Sequence, residues 1–151
     1  MTRYGSPVLL AAMESKYMGY FKSLEAAQEF FKGERFAIEN GMHLDELGEG
    51  WAVCSMEIQN IHMNAVDRVM GGAIFTLADF AMAAAANNYH CPNVGLNATV
   101  NFLGAAKGRK LFARAECIKD GRTTSVFGVN VYDELGTKVA YFTGTSFKIQ
   151  G

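Results

Sequence analysis

The sequence predicts an α+β fold: an antiparallel sheet of about six strands curled round one long apolar helix. Three observations carry this. Between Gly71 and Ala86 every residue is apolar or small except Thr76 and Asp79, the pattern of a helix buried on most sides. Four strand-like runs separated by turn-forming residues follow it. A strand-turn-strand pattern centred on Gly48-Glu49-Gly50 precedes it.

Taken in order, residues 6–20 and 23–40 carry helical spacing, with Leu9, Leu10, Met13, Tyr17 and Phe21 in the first and Leu24, Ala27, Phe30 and Phe31 in the second. Ser23 is placed to cap the second helix, and Gly33 and Gly41 are candidate stops. These helices are expected to cover a sheet edge or a neighbouring subunit, and nothing in them suggests chemistry. From His43 the pattern becomes β-like, with 51–58 (WAVCSMEI) as a strand. Residues 59–69 form a polar connection that delivers the chain to the glycine pair and the central helix, expected over Met70–Asn88. The later strands are 94–103, 111–119, 123–133 and 138–149, joined by the loop 104–110, by Asp120-Gly121 and by Leu135-Gly136, so successive strands are expected to pair antiparallel. In 126–131 the residues Phe127, Val129 and Val131 form the more apolar face, which should lie on the helix.

At 151 residues the chain fits one domain with a sizeable core. A formal net charge of -1 gives no electrostatic case for nucleic acid or an anionic membrane. The apolar stretch is shorter than the roughly 20 residues that span a bilayer and contains Asp79. Three cysteines (Cys54, Cys91, Cys117) without CxxC spacing, and no secretory pattern at the N-terminus, place the protein in the cytoplasm. His43, His62 and His90 show no metal-binding spacing, and no cofactor motif is present.

Asp79 is the anomaly of the central helix, because a buried carboxylate costs several kcal/mol unless something pairs with it or a cleft solvates it. Gly71 opens that helix with a free N–H at the positive end of the helix dipole and no side chain to keep a carbonyl away. A glycine pair also serves tight packing, and Asn64 in the preceding connection also serves as a turn residue bonded to its own backbone. Lys107, Arg109 and Lys110 form a small basic loop, and Arg122 starts a strand; they suit the phosphates of a ligand or a solvated surface.

Asn64, Gly71-Gly72, Leu77-Ala78-Asp79 and the run NATVNFLGAAKG at 97–108 resemble, in type and spacing, the hot-dog fold acyl-CoA thioesterases, and most closely the phenylacetate-pathway type. The resemblance spans about 35–149 by pattern. It implies a hot-dog domain over 35–151 behind an N-terminal helical extension over 1–34. It further implies hydrolysis of aryl or medium-chain acyl-CoA, with coenzyme A part of the substrate and no separate cofactor. Gly71 would be the oxyanion donor, Asp79 the general base or a nucleophile, and Asn64 the group that holds water or the thioester. Met70, Gly72, Phe75, Lys107, Arg109 and Arg122 would contact substrate. Eight residues of helix place Asp79 about 12 Å beyond Gly71, which agrees with the implied site at a homodimer interface, and a dimer of dimers is expected. Met70 stands where the family carries His, and a methionine side chain cannot donate a hydrogen bond to a carbonyl. This departure keeps an alternative open: a non-catalytic acyl-CoA binding or sensing module. A hydratase fits less well, since no histidine lies in the helix.

Overall fold

The structure, a computed structural model, describes residues 19–151; the helix expected over 6–20 lies almost wholly outside them. Helix α1 (Leu24–Phe31) begins where the Ser23 hydroxyl accepts from the Ala26 N–H at 3.1 Å. The single helix expected over 23–40 is two: the chain breaks at Lys32–Glu34 and resumes as α2 (Arg35–Glu39). The break has a packing reason. Phe31 and Ala37 are both buried, yet on one continuous helix six residues would set them about 120° apart. Gly33, a poor helix former, stands at the turn that re-aims the chain. Phe21, Ala27 and Phe31 belong to the same core as the sheet and the central helix.

Strands β1 (Met42–Gly48) and β2 (Trp51–Glu57) form the expected hairpin, turning at Gly50 in the left-handed region. A 3-10 turn (Asn60–His62) leads into the connection, and α3 runs Gly71–Tyr89. Then come β3 (Asn93–Phe102), β4 (Lys110–Asp120), β5 (Thr124–Asp133) and β6 (Lys138–Lys148). All pairs are antiparallel in one six-stranded sheet of order β1-β2-β4-β5-β6-β3. Successive β3 and β4 are therefore not partners. The loop 104–110 is a crossover: β3 lies outside β6, held by the Leu103 N–H on the Val139 carbonyl at 2.9 Å, while β4 pairs with β2 and β5.

The sheet wraps α3. Leu77, Ala78, Ala81, Ala84 and Ala85 are fully buried, and short alanine side chains let the strands come close. At Gly144 of β6 an added Cβ would lie 2.3 Å from Met82 Sδ, so glycine lets the Met82 side chain lie directly on the strand there. Phe127, Val129 and Val131 form the inward face of β5, as their alternation implies. Asn88, buried at the end of α3, accepts from the Phe21 N–H at 3.1 Å and donates to the Gly48 carbonyl at 2.8 Å, tying the approach to α1 and the β1–β2 turn to the helix. The helix is not enclosed all round. Gly72 and Asp79 are exposed, with Phe75, Thr76 and Ala83 half-buried beside them, so one stripe of α3 remains open. Among the described residues no helix is long and apolar enough to cross a membrane.

Candidate active site

The connection before α3 is fixed by its own backbone. Asn64 Oδ1 accepts from the N–H groups of Val66 (3.0 Å) and Arg68 (3.1 Å), and the Asn64 N–H donates to the Arg68 carbonyl at 2.7 Å. This is the turn role open to any loop asparagine. The Asn64 amide nitrogen makes no hydrogen bond among the described residues, which leaves it as a donor. The Met70 N–H then donates to the His62 carbonyl at 2.8 Å, setting the direction in which α3 begins.

At that start, Ala73 and Ile74 donate back to the Met70 carbonyl, while the N–H groups of Gly71 and Gly72 have no partner among the described residues. Two free donors thus sit at the positive end of a 19-residue helix. The Gly71 position also packs closely, since a Cβ there would stand 2.8 Å from the Phe102 ring. A cavity of about 360 Å³ opens beside the glycine pair, walled by Phe36, Ile61, Met70 and Phe75. Met70 presents a flexible apolar side chain, 52% exposed, to its mouth. His62 lines the same cavity but is committed: Nδ1 accepts from the Gln59 N–H at 3.0 Å, so Nε2 carries the hydrogen given to the Asn40 carbonyl at 2.7 Å. It cannot supply the imidazole that Met70 lacks.

Asp79 lies two turns along, on the open stripe rather than buried as the all-apolar pattern implies. Its carboxylate makes no hydrogen bond or ion pair among the described residues. It separates two hollows, of about 330 and 380 Å³, and Glu34 lines both. Partial desolvation, with the Glu34 charge second, raises its pKa above the ordinary aspartate value. Gly71 and Asp79 point along one helix about 12 Å apart, so one chain presents both groups without aiming them at one atom.

The basic residues divide. The loop 104–110 is a cradle of backbone donors already filled from within: Lys107 and Gly108 N–H donate to Asp133 Oδ2 (2.8 and 2.9 Å), and Arg109 and Lys110 N–H to Glu134 (2.7 and 3.0 Å). Although burial alone would raise the Asp133 pKa, these donors and those of Thr137 hold it well below the usual carboxylate range. The side chains of Lys107 and Arg109 are exposed and form no ion pair among the described residues. Lys107 faces a hollow of about 580 Å³ next to Arg68, a cation that sequence reasoning passed over. Arg122 is not part of this group: it sits beyond the far end of the eleven-residue β4, about 35 Å away along the strand. Within one chain it cannot share a ligand phosphate with Lys107.

The match to a description of the thioesterase superfamily covers residues 67–140, from just before α3 into β6. The acyl-coenzyme A thioesterase PaaI of Escherichia coli is 29% identical over 131 residues, 86% of this chain and 94% of that protein. Among solved structures, a mutant of the phenylacetic acid degradation protein PaaI from Thermus thermophilus is 31% identical. That match has a TM-score of 0.71 and covers 76% of this chain and 98% of that one. The chain belongs to the thioesterase superfamily. A hypothetical thioesterase of Streptococcus pneumoniae, solved with coenzyme A, is 28% identical with a TM-score of 0.71, covering 78% of this chain and 94% of that one. The hot-dog architecture expected from the sequence is thus the architecture of these thioesterases. Its helix start offers what thioester chemistry requires of a backbone, donors for a developing oxyanion, and its open stripe offers an unpaired carboxylate that can take a proton.

Proposed function

We propose that this thioesterase hydrolyses acyl-CoA thioesters as a homodimer in the cytoplasm, each site taking Asp79 from one subunit and the Gly71 N–H from the other. The observation that supports this is the pair of groups on α3 left unused among the described residues: donors at Gly71 and Gly72 and, about 12 Å along the axis, a carboxylate. A two-fold axis perpendicular to the helix and passing midway between Gly71 and Asp79 sets two such helices antiparallel and brings each donor opposite the other subunit's acid. The sheet supplies an edge for that pairing. Strand β3 ends the sheet with ten residues and exposes Val94, Leu96 and Phe102, an edge without a strand partner among the described residues that a second copy would cover.

In this reading Asp79 takes a proton from water, and the water oxygen bonds to the thioester carbonyl carbon. The negative charge that develops on the carbonyl oxygen is held by the Gly71 N–H, with Gly72 beside it. Collapse of the tetrahedral species breaks the C–S bond, and the thiolate takes up the proton. The Asn64 amide orients the thioester or the water. The cavity at Phe36, Met70 and Phe75 receives an aryl or medium-chain acyl group. Lys107, Arg109 and Arg68 meet the phosphates of coenzyme A, and Arg122 serves only if another subunit brings it near.

Met70 favours a second reading, an acyl-CoA binding module without turnover, because no side-chain donor stands before the glycines. A thiol-release assay with a panel of aryl- and acyl-CoA thioesters on wild type and Asp79→Asn separates the two. Release from wild type, falling about 100-fold or more in the variant, is expected. Equal release from both would sink the role of Asp79; binding without release from either would establish the second reading. Incorporation of ¹⁸O from water into the Asp79 carboxylate would show attack by the carboxylate itself.

A further inference from the structure

Glu34 stands in the segment between α1 and α2 that sequence reasoning left without chemistry, yet it lines both hollows that meet at Asp79. Its place is fixed by packing. Phe31 sets its ring edge-on to Phe80 at 5.7 Å, one residue from Asp79 on α3, and the chain breaks at Gly33 just after that contact. The Glu34 N–H donates to the Phe31 carbonyl at 3.0 Å, and the Ile38 N–H to the Glu34 carbonyl at 3.0 Å, so the residue is held at both ends of its backbone. The break that buries both Phe31 and Ala37 thereby turns an exposed glutamate toward the acid on the open stripe.

We propose that Glu34 is a positioning residue of the hydrolysis, a second carboxylate that faces Asp79 across the hollows and keeps it a stronger base than a lone surface aspartate. The inference rests on Asp79 being the base. A negative charge at Glu34 on the same hollow opposes the ionisation of Asp79, and the opposition grows when a bound thioester keeps water out. A base whose proton affinity lies nearer the working pH takes a proton from water more readily. The other groups around Asp79 do not reproduce this effect. Arg35, which lines one of the hollows, carries the opposite charge, Asn87, Asn93 and Ser146 in the other are uncharged, and α3 carries no second ionisable side chain between Gly71 and Asn88. Burial and the Glu34 charge are the two causes that raise Asp79.

The test is the pH dependence of kcat/KM for the best thioester of the panel, measured on wild type, Glu34→Gln, Glu34→Asp and Asp79→Asn. A ¹³C NMR titration of the Asp79 carboxyl carbon in the first three accompanies it. The expected result is an acid limb displaced to lower pH in Glu34→Gln, with severalfold more activity than wild type on that limb and less at the plateau, and a limb near wild type in Glu34→Asp. The Asp79 titration should move in parallel. An unmoved limb and titration in Glu34→Gln, with Asp79→Asn inactive, would overturn the role of Glu34 alone. Full turnover by Asp79→Asn would overturn the reading of Asp79 as base and this inference with it.

Discussion

At the scale of single residues, the assignment of Gly71 can be tested without disturbing the helix. Gly71 is the first residue of α3 and its N–H has no partner among the described residues, which is the helical position that accepts proline. Met70 before it is already extended, with ψ at 136°, as a residue preceding proline must be. Gly71→Pro should therefore fold with a melting temperature within a few degrees of wild type by the usual tolerance of that position, while removing the hydrogen that the proposed mechanism aims at the oxyanion and leaving only the Gly72 N–H. A fall in kcat of about 100- to 1,000-fold is expected. Gly71→Ala is the control, because both substitutions press a Cβ against the Phe102 ring but alanine keeps the N–H. Turnover retained by alanine and lost by proline assigns the donor; equal losses in both would assign the glycine to packing against Phe102 instead.

At the scale of elements, the crossover between β3 and β4 depends on a carboxylate rather than on its own three cations. Asp133, at the end of β5, is buried and collects the N–H groups of Lys107 and Gly108, and through Oδ1 those of Leu135 and Thr137. Its depressed pKa fixes the sign of its pH dependence. The stabilisation is present above the unfolded aspartate value near pH 4, by the reference value of about 3.9, and is lost as pH falls toward the lower folded value. Asp133→Asn should melt below wild type at pH 7, and the gap should narrow as both are titrated below about pH 4, as followed by thermal denaturation monitored by circular dichroism. A constant gap across that range would show that charge is not what holds the loop. None of this was legible in the sequence, where 104–110 reads as a basic turn; the acids that fill it lie some 25 residues later by the hydrogen-bond separations. The strands themselves were legible, since alternation in 126–131 and the turn dipeptides are local signals. Which strand pairs with which was not, because nothing within β3 says that β6 rather than β4 lies beside it. Asp79 stood out as a polar group in an apolar run and the glycine pair as the opening of the helix, both of them local signals. That Asp79 is exposed, and that Glu34 faces it, are consequences of how α1 and α2 dock, which no spacing along the chain encodes.

At the scale of the whole molecule, the proposed dimer has each chain give the base to one site and the oxyanion donor to the other. If Asp79 acts with Gly71 of the partner subunit, a dimer of Gly71→Pro chains has two sites with a base and no Gly71 donor, and a dimer of Asp79→Asn chains has the reverse. Both homodimers should be nearly inactive. When the two are mixed and allowed to exchange subunits, a hybrid dimer contains one site with both lesions and one site with neither. Equal mixing makes half the dimers hybrids, so about one quarter of all sites should become intact, by the two-fold symmetry of such an assembly. Recovery of about that fraction of wild-type turnover, growing at the rate of subunit exchange, is the expected outcome. A site built within one chain would recover nothing, since every chain in the mixture bears a lesion. The experiment also reads the edge strand. A charged residue in place of Leu96, exposed on the terminal strand β3, should weaken the shared edge. Activity and dimer should then decline together as protein concentration falls, because the chain that has lost its neighbour has lost the other half of its chemistry.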